Sequence, residues 1–387
     1  MDSRIATLRA VLEGRAVRVS DGIVAAQIEG RGVGVVATRA LKAGERLVEF
    51  PLAELANPRT VKAAVEKAAA AGAAGAAGAA GSAHQTMALW VYLQRFRGAQ
   101  MAQIDGGRWQ SFVAVLPRDL SSWPLMYSAE QLRTAPAEVR TRVERMRAQV
   151  RADWAAAAAR SGLEIELDRF TWAWLCVNSR CLYFRMGEMA AATDQLTLAP
   201  YIDFVNHGPP ARDGATESRV GVAAAGPRQR FSLTTTRAYS AGEEVLLSYG
   251  AHTNAKLLVE YGFTVADNPW RALDVTAEVR RLLSAEDRER LDGWGYGGDV
   301  VLTDDRDLPL QVEVVLAVVA GVDERFVHAL MAGQTDGRKI ELRVRAVLTG
   351  VLERVVAEAE RMLTRGDLTA DVARLYRERR ELAQLHS

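Results

Sequence analysis

Residues 30–38 read GRGVGVVAT and follow the apolar run of residues 23–28. The glycines at the start of this stretch are typical of a tight turn, and the β-branched residues after them are typical of a strand. A second turn signal, KAGE at residues 42–45, precedes the apolar run LVEF, which Pro51 ends. The segment therefore predicts strand, turn and strand near the start of the chain.

The same glycines formally fit a nucleotide-binding fingerprint. Gly32, Gly34 and Ala37 satisfy G-x-G-x-x-A, and Glu54 lies at a plausible distance for an acid that binds a ribose. That fingerprint must open a helix, so that a pyrophosphate lies at the helix N-terminus. Here β-branched residues follow, and Gly44 comes before a helix gains length. The pattern favours an extended glycine segment whose backbone lies close against a ligand, and it disfavours a nicotinamide-dependent oxidoreductase.

The composition is that of a globular protein with ample material for a core. Of 387 residues, 49% are hydrophobic and 25% are charged, and this length predicts two or three domains. A net charge of +1 argues against a protein that coats nucleic acid by charge alone. The two cysteines, Cys176 and Cys181, exclude a disulfide framework and a cysteine zinc cluster. We expect both to be small buried hydrophobes and, since the histidines are scattered, we expect no metal centre.

No apolar run approaches the ~20 residues that span a bilayer, so we expect no membrane segment. The first residues of the chain lack the apolar stretch of a secretory signal. These observations predict an intracellular protein. The cytoplasm is the expected compartment, with the plastid and the nucleus as alternatives.

The middle and the end of the chain have helical patterns. Residues 63–83 repeat Ala-Ala-Gly, and a loop is favoured there because each glycine costs a helix ~1 kcal/mol. Residues 87–160 carry apolar side chains at helical spacing, and residues 170–184 form an apolar and aromatic block that predicts a buried helix. An apolar stripe over residues 347–363 predicts a helical C-terminal domain.

Between these helical regions, strands are predicted over residues 201–206, 220–223, 231–236 and 245–249. One octapeptide recurs: TRALKAGE at 38–45 returns as TRAYSAGE at 236–243, with six identities in eight positions. One explanation is a good turn used twice, because Ala-Gly-Glu supplies the glycine that a tight hairpin needs. The other is a β-rich body made of two related halves, interrupted by the helical region.

Four polar residues are candidates for chemistry. Asn206 and His207 end a predicted apolar strand before a Gly-Pro-Pro turn; the alternative is an asparagine that caps the turn and a histidine satisfied locally. Tyr249 closes the last predicted strand, where the alternative is an amphipathic edge residue. Arg180 lies within the apolar block, where a guanidinium is costly unless it meets an anion or a carboxylate.

Together these segments resemble the SET-domain methyltransferases, in particular the branch that includes the Rubisco large-subunit methyltransferase. The resemblance rests on the glycine segment with its hairpin and on Asn206-His207. It also rests on SYG at 248–250 with Asn254, and on YGF at 261–263. This branch does without the cysteine-rich zinc module of many histone-directed SET enzymes, which agrees with the two cysteines.

The resemblance implies an α+β fold. A β-rich SET fold of short strands with knot-like threading is interrupted by a helical insertion, over about residues 60–165, and is followed by an all-α C-terminal domain. The implied domains are a SET catalytic domain, residues 1–272, and a helical substrate-binding domain, residues 273–387.

The implied reaction transfers the methyl group of S-adenosylmethionine to a lysine nitrogen of a non-histone protein, with S-adenosylhomocysteine as the product. Free lysine has a pKa of ~10.4, so a narrow, dry channel has to favour the neutral amine and align it. The implied partner is a protein substrate gripped by the C-terminal helical domain of a monomer. Neither nucleic acid nor a membrane is implied.

The resemblance also implies roles for single residues. Tyr249 is the implied catalytic tyrosine, whose hydroxyl orients the methyl group and the accepting nitrogen. The implied cofactor-binding residues are Gly32, Val33, Gly34, Arg180, Asn206, His207, Tyr249 and Phe263. Within that set, Arg180 meets the cofactor carboxylate and Phe263 packs against the adenine.

The implied substrate channel is lined by Tyr261 and Leu182. Relatives of this branch that methylate histidine carry a polar amide two residues after the cofactor arginine, where this chain has Leu182, so lysine is favoured. A protein-histidine N-methyltransferase of the same fold and a non-catalytic SET-fold binding module are the alternatives.

Overall fold

The computed structural model describes residues 2–70, 81–183, 195–223, 229–335 and 337–387. By packing, the chain divides into two compact units: the first comprises residues 1–120 and 146–251, and the second comprises residues 121–145 and 252–387. Helices and short strands occur in both. The fold is α+β, as predicted. The functional boundary between residues 272 and 273 stays a prediction.

The first unit is built on short antiparallel strands. They are β1 (Arg18–Val19), β2 (Ile23–Ile28), β3 (Gly32–Ala37), β4 (Arg46–Pro51), β5 (Leu182–Tyr183), β6 (Leu196–Thr197), β7 (Ser218–Ala223), β8 (Arg230–Thr235) and β9 (Glu244–Val245). One sheet has the order β1-β4-β8-β7, a second has the order β2-β3-β9, and β5 pairs with β6. The strands predicted near the start of the chain are β2, β3 and β4, and those predicted at 220–223 and 231–236 are β7 and β8.

The two copies of the repeated octapeptide, residues 38–45 and 236–243, pair with each other. Leu41 and Tyr239 exchange both backbone hydrogen bonds, at 2.9 and 3.0 Å. The strand β3, which directly precedes the first copy in the chain, pairs with β9, which directly follows the second copy. Likewise β8, which directly precedes the second copy, pairs with β4, which directly follows the first copy. A local two-fold axis therefore relates the two copies.

The turns around this axis have matching contacts. The amides of Gly44 and Gly242 each donate to a backbone carbonyl of the other half, at 3.0 and 2.8 Å. Both glycines have positive φ, +82° and +85°, which a side chain disfavours. Each copy pairs the arginine at its second position with the glutamate at its eighth, at 2.8 Å in the first copy (Arg39–Glu45) and 2.6 Å in the second. This agreement favours two related halves over one turn used twice.

Eight helices of the described chain precede β5. They are α1 (Ser3–Gly14), α2 (Pro58–Ala70), α3 (Ala83–Phe96), α4 (Gly98–Asp105), α5 (Gln110–Val115), α6 (Ala129–Thr134), α7 (Ala137–Ser161) and α8 (Leu167–Arg180). Of these, α6 and residues 137–145 of α7 belong to the second unit. In the first unit α3 packs on α8, and Trp90 of α3 and Phe170 of α8 are fully buried.

Two helical predictions need correction. Residues 63–70 belong to α2 and not to a loop, because this part of the alanine-rich tract contains no glycine. Ala83 likewise begins α3, and residues 71–80 lie outside the described residues. The helix predicted over residues 170–184 ends at Arg180, after which the chain turns into β5; Phe184 lies outside the described residues.

Residues 201–206 do not form the predicted strand. Tyr201 has φ +75° and is followed by the 3-10 turn Ile202–Phe204. The buried hydroxyl of Tyr201 accepts a hydrogen bond from the amide of Ala25 at 3.2 Å. This long-range contact holds a conformation that the apolar run alone did not indicate. The strand predicted over residues 245–249 is also shorter, since β9 ends at Val245.

The second unit is mainly helical. Besides α6 it contains α9 (Asn254–Tyr261), α10 (Thr276–Arg280), α11 (Ala285–Gly293), α12 (Leu310–Val319), α13 (Glu324–Met331), α14 (Glu341–Leu363) and α15 (Ala370–His386), with the strand pair β10 (Leu273–Asp274) and β11 (Val301–Leu302). The predicted apolar stripe lies on α14, which packs on α15 and buries Leu348, Leu352 and Val355 in the core. None of the described helices is both long and apolar enough to cross a bilayer.

Candidate active site

The Asn206-His207 segment and the segment before Tyr249 run side by side in the first unit. The amide of Leu247 donates to the carbonyl of Asn206 at 2.9 Å, and the amide of Gly208 donates to the carbonyl of Leu247 at 3.1 Å. These two bonds make a single parallel bridge between His207 and Leu247. Two motifs that lie far apart in the sequence therefore meet.

Tyr249 is held at its backbone and at its side chain. Its amide donates to Nδ1 of His207 at 3.0 Å, and its hydroxyl donates to the carbonyl of Val205 at 2.9 Å. The rings of His207 and Tyr249 lie 5.1 Å apart between centroids. His207 is only 3% exposed. The histidine therefore orients the tyrosine from inside the unit, while the catalytic role of Tyr249 stays a prediction.

The glycine segment meets Asn206 at Gly34. A Cβ on Gly34 would lie 2.7 Å from Oε1 of Glu244 and 2.8 Å from Nδ2 of Asn206, so a larger residue there would displace these side chains. Gly32 differs, because its φ is +71° and nothing lies within 4 Å of its Cβ position; Val33 lies between the two in β3. At Gly34 the chain's own side chains lie close to the backbone, and the space beside Gly32 is open; the approach of a ligand to this segment stays a prediction.

Arg180, the last residue of α8, meets a carboxylate, as its apolar surroundings required. Its Nη1 donates to Oδ2 of Asp203 at 3.0 Å and to the Asp203 carbonyl at 3.2 Å. The Asp203 side chain is 0% exposed, and burial raises the pKa of its carboxyl while Arg180 lowers it. Asp203 was not among the predicted site residues. Its position in the sequence, three residues before Asn206 in the same short motif, could have indicated that it belongs to the site.

Burial disfavours the thiolate form of both cysteines. Cys176 is buried, as predicted, and Cys181 is half-buried. Burial raises the pKa of the Cys176 thiol to about 12 and also raises the pKa of the Cys181 thiol, and it is the thiolate that reacts as a nucleophile. Within the part of the chain that the structure describes, no three His, Cys, Asp or Glu side chains are grouped to hold a metal ion.

Tyr261 and Phe263 belong to the second unit. Helix α9 ends at Tyr261, and Gly262, with φ +80°, reverses the chain after it. The two aromatic rings lie 6.3 Å apart between centroids, and His252 stacks on Tyr261 at 6.2 Å. Burial raises the pKa of Tyr261 to about 12, which disfavours the phenolate form further.

Trp123 is a residue of this region that no sequence pattern indicated. A Cβ on Gly262 would lie 2.5 Å from the indole ring of Trp123. The indole Nε1 donates to the carbonyl of Glu260 at 3.4 Å. Trp123 thus covers the turn that separates Tyr261 from Phe263.

Leu182, the other predicted channel residue, lies in β5 opposite Thr197 and is half-buried. The structure therefore brings Gly34, Asn206, His207 and Tyr249 into one connected network. The channel role of Leu182 and Tyr261, and the cofactor contact of Phe263, stay predictions.

Residues 32–250 match the SET domain as a protein family. The chain belongs to the SET-domain family. The match covers more than half of the chain and includes Arg180, Asn206, His207 and Tyr249.

Curated relatives of this SET-domain chain include two yeast enzymes. It is 29% identical over 210 residues to ribosomal lysine N-methyltransferase set11 of Schizosaccharomyces pombe. This alignment covers 51% of this chain and 51% of that protein. It is 29% identical over 222 residues to ribosomal lysine N-methyltransferase 2 of Saccharomyces cerevisiae. That alignment covers 53% of this chain and 45% of that protein. It is 24% identical over 302 residues to SET domain-containing protein 4 of Mus musculus, with 74% of this chain and 64% of that protein covered. The chain spans about half the length of the curated relatives it matches.

Solved structures confirm the predicted SET fold. The SET domain of LSMT bound to lysine and AdoHcy aligns with a TM-score of 0.68 at 18% identity, covering 100% of this chain and 90% of that chain. Rubisco LSMT bound to AdoMet aligns with a TM-score of 0.66 at 16% identity, covering 100% of this chain and 91% of that chain. The SET fold with C-terminal helices is therefore the fold of the Rubisco-methyltransferase branch.

Proposed function

We propose that this SET-family chain is an S-adenosylmethionine-dependent protein-lysine N-methyltransferase that acts on a non-histone protein. The observation that carries the proposal is Tyr249, whose amide and hydroxyl are both hydrogen-bonded to the segment 205–207. Two relatives are named ribosomal lysine N-methyltransferases, and two similar structures are described with lysine and AdoHcy and with AdoMet. These names support lysine as the acceptor and S-adenosylmethionine as the cofactor.

The polar groups of the first unit fit the methionine end of this cofactor. S-adenosylmethionine, when bound, supplies an activated methyl group and carries a carboxylate and an ammonium group. Nη1 of Arg180 donates a hydrogen bond to Asp203, and the other N–H groups of this guanidinium are suited to bind the carboxylate of the cofactor. Asn206 commits Nδ2 to Glu244, so Oδ1 is the end of its amide that suits an ammonium group. The open space beside Gly32 leaves backbone accessible to a ligand.

We assign Tyr249 to catalysis. Its hydroxyl donates its proton to the carbonyl of Val205, and a phenol oxygen that donates in this way can also accept a hydrogen bond. An amine that donates to this oxygen is held in one orientation, which aligns its own lone pair. The amine has to be neutral to react, and a site that excludes water favours the neutral form of lysine.

Transfer of a labelled methyl group tests the proposal. The purified chain is incubated with labelled S-adenosylmethionine and with a cell extract separated into ribosomal and soluble fractions, because two relatives carry ribosomal names. We expect a labelled protein that is lost with Tyr249→Phe, and methyl-lysine by mass spectrometry. Methylhistidine without methyl-lysine would favour the histidine alternative. No detectable affinity for S-adenosylmethionine would favour the non-catalytic binding module.

The C-terminal helical domain, residues 273–387, is the part that we assign to gripping the protein substrate. It contains a cavity of about 440 Å³ whose apolar lining includes Leu308, Leu330 and Ile340. Leu310 at its edge is 43% exposed. We expect Leu310→Asp to raise KM for the protein substrate about tenfold and to leave cofactor affinity unchanged. An unchanged KM would contradict this assignment.

The assembly and the compartment are also part of the proposal. We expect a monomer, which light scattering at the working concentration checks. We expect cytoplasmic location, with the plastid and the nucleus as alternatives, and cell fractionation separates the three.

A further inference from the structure

Arg31, Glu244, Asn206 and His207 form a closed ring of polar contacts in the first unit. Nη1 of Arg31 lies 2.9 Å from Oε2 of Glu244, and Oε1 of Glu244 accepts a hydrogen bond from Nδ2 of Asn206 at 2.8 Å. Nη2 of Arg31 donates to the carbonyl of His207 at 2.9 Å. Since Asn206 and His207 are neighbours in the chain, these contacts close the ring.

The ring decides which end of the Asn206 amide is offered to a ligand. A carboxylate only accepts hydrogen bonds, so the NH₂ group of Asn206 is the end that faces Glu244. Oδ1 is therefore the end left for a ligand. Arg31 holds the second carboxylate oxygen of Glu244, and thereby holds the glutamate in the rotamer that keeps Asn206 in place.

We propose that Arg31 is a positioning residue of the cofactor site, which fixes Asn206 so that Oδ1 is presented to the ammonium group of the ligand. The inference rests on the proposed function. Arg31 and Glu244 neutralise each other, so the ring presents an acceptor without placing a net positive charge beside a cationic group. Neither residue was predicted from the sequence, although Arg31 directly precedes the predicted Gly32.

An arginine is suited to this place better than a lysine. The planar guanidinium reaches two acceptors with two separate nitrogens, whereas an ammonium group is a single point charge. The side chain of Arg31 is 41% exposed and that of Glu244 is 17% exposed. The carboxylate is thus the more desolvated partner, and loss of Arg31 leaves it without its charge partner in the ring.

Gly34 makes the ring sensitive to small displacements. A Cβ at this position would lie within 2.8 Å of both Oε1 of Glu244 and Nδ2 of Asn206. These polar groups therefore lie directly on the backbone of β3. A shift of the Glu244 carboxylate therefore moves the side-chain amide of Asn206 and also changes the surface that covers β3 at Gly34.

Isothermal titration calorimetry of the full chain with S-adenosylhomocysteine tests the proposal. We expect Arg31→Ala to weaken Kd about tenfold, since a hydrogen bond to a charged group contributes about that factor. Arg31→Lys, which keeps the charge and one contact, is expected to weaken Kd about threefold. Arg39→Ala is the matched control. The side chain of Arg39 is 49% exposed and lies 2.8 Å from Glu45 in the turn that follows β3, and its loss is expected to leave Kd unchanged.

Glu244→Gln tests the ring from its other side. We expect it to weaken Kd as well, and we expect the double variant with Arg31→Ala to bind better than the product of the two effects predicts, because both changes open one ring. KM for S-adenosylmethionine is expected to rise with Kd, while turnover at saturating cofactor stays within about twofold. A general loss of structure would instead lower turnover at saturating cofactor.

Each outcome bears on a different statement. An unchanged Kd in folded Arg31→Ala, or an equal weakening in Arg39→Ala, overturns the role of Arg31 and leaves the proposed function intact. If the unmodified chain binds neither S-adenosylhomocysteine nor S-adenosylmethionine, the proposed function is overturned, and the inference with it. If Arg31→Ala has no cooperative thermal transition, Glu244→Gln decides, and an unchanged Kd there overturns the inference.

Discussion

The backbone amide of Tyr249 donates a hydrogen bond to Nδ1 of His207, and the two nitrogens lie 3.0 Å apart. Nδ1 accepts only when it carries no proton, so the neutral ring has its proton on Nε2. The hydroxyl of the same tyrosine donates to the carbonyl of Val205. His207 thus acts through a ring acceptor that orients Tyr249, and this acceptor, rather than a charge, is what a substitution has to preserve.

His207→Asn and His207→Leu separate these two properties. The side-chain oxygen of asparagine is the same number of bonds from Cβ as Nδ1, so it retains an acceptor for the Tyr249 amide. Leucine retains bulk but leaves that amide unsatisfied, which costs about 1–3 kcal/mol. We expect His207→Asn to keep more stability and more methyl transfer than His207→Leu, measured by urea unfolding and by turnover. Equal loss in both variants would show that ring packing, not the acceptor, is what Tyr249 needs.

Gly262→Ala tests the contact between Trp123 and the turn after α9. Gly262 has φ +80°, and its Cβ position lies 2.5 Å from the indole, so alanine adds a clash to the cost of a left-handed backbone. Gly295→Ala is the matched control in the same unit, because Gly295 also has φ +80° but has nothing within 4 Å. We expect calorimetric unfolding to show a loss of about 3 kcal/mol for Gly262→Ala and about 1 kcal/mol for Gly295→Ala. Equal losses of stability in the two variants would mean that the indole of Trp123 moves aside without a measurable cost.

The sequence predicted the residues that meet at the site better than it predicted what holds them. Asn206, His207 and Tyr249 belong to short motifs, and the structure connects them. Glu244 and Arg31 were missed because their contact depends on the register of β3 against β9, which a single sequence does not reveal. Asp203 was missed as the partner of Arg180 because the contact joins the end of α8 to a turn 23 residues later, and the sequence does not reveal how the two pack.

Local conformation was predicted well where turn residues were decisive and poorly where tertiary contacts were. Gly44 and Gly242 mark the two turns of the repeated octapeptide, and both have the positive φ that the pattern requires, although the strands beside each turn pair with those of the other copy and form no hairpin. The apolar run at 201–206 has the composition of a strand, yet the buried Tyr201 holds it as a turn. Asn254, part of the predicted family motif, proves to be buried, and it hydrogen-bonds Val265 within the second unit.

The second unit contains a buried charge cluster that gives a prediction about pH. Arg379 of α15, with a side chain 4% exposed, lies 2.8 Å from Glu138 and 3.1 Å from Glu278. Two carboxylates therefore share one guanidinium. Burial raises the pKa of Glu138, although Arg379 lowers it, and Asp274 and Glu278 raise it further.

Glu138→Gln is expected to stabilise the protein at neutral pH. A carboxyl with a raised pKa in the folded state contributes stability that is fully present below its unfolded pKa and is lost as the pH rises through its folded pKa. Glutamine keeps an acceptor for Arg379 and removes that loss, so we expect a gain of about 1 kcal/mol at pH 7 that shrinks towards pH 4. Urea unfolding across this range measures it, with the exposed Glu353→Gln as the control.

Arg379→Met is expected to act in the opposite direction. It leaves Glu138 and Glu278 buried without a cation, and breaking a buried pair in this way costs about 3–5 kcal/mol. The loss is expected to be smaller at pH 4 than at pH 7, because protonation of the carboxyls removes the uncompensated charge. If Glu138→Gln and Arg379→Met both destabilise the protein equally at every pH, the cluster contributes through packing and not through charge.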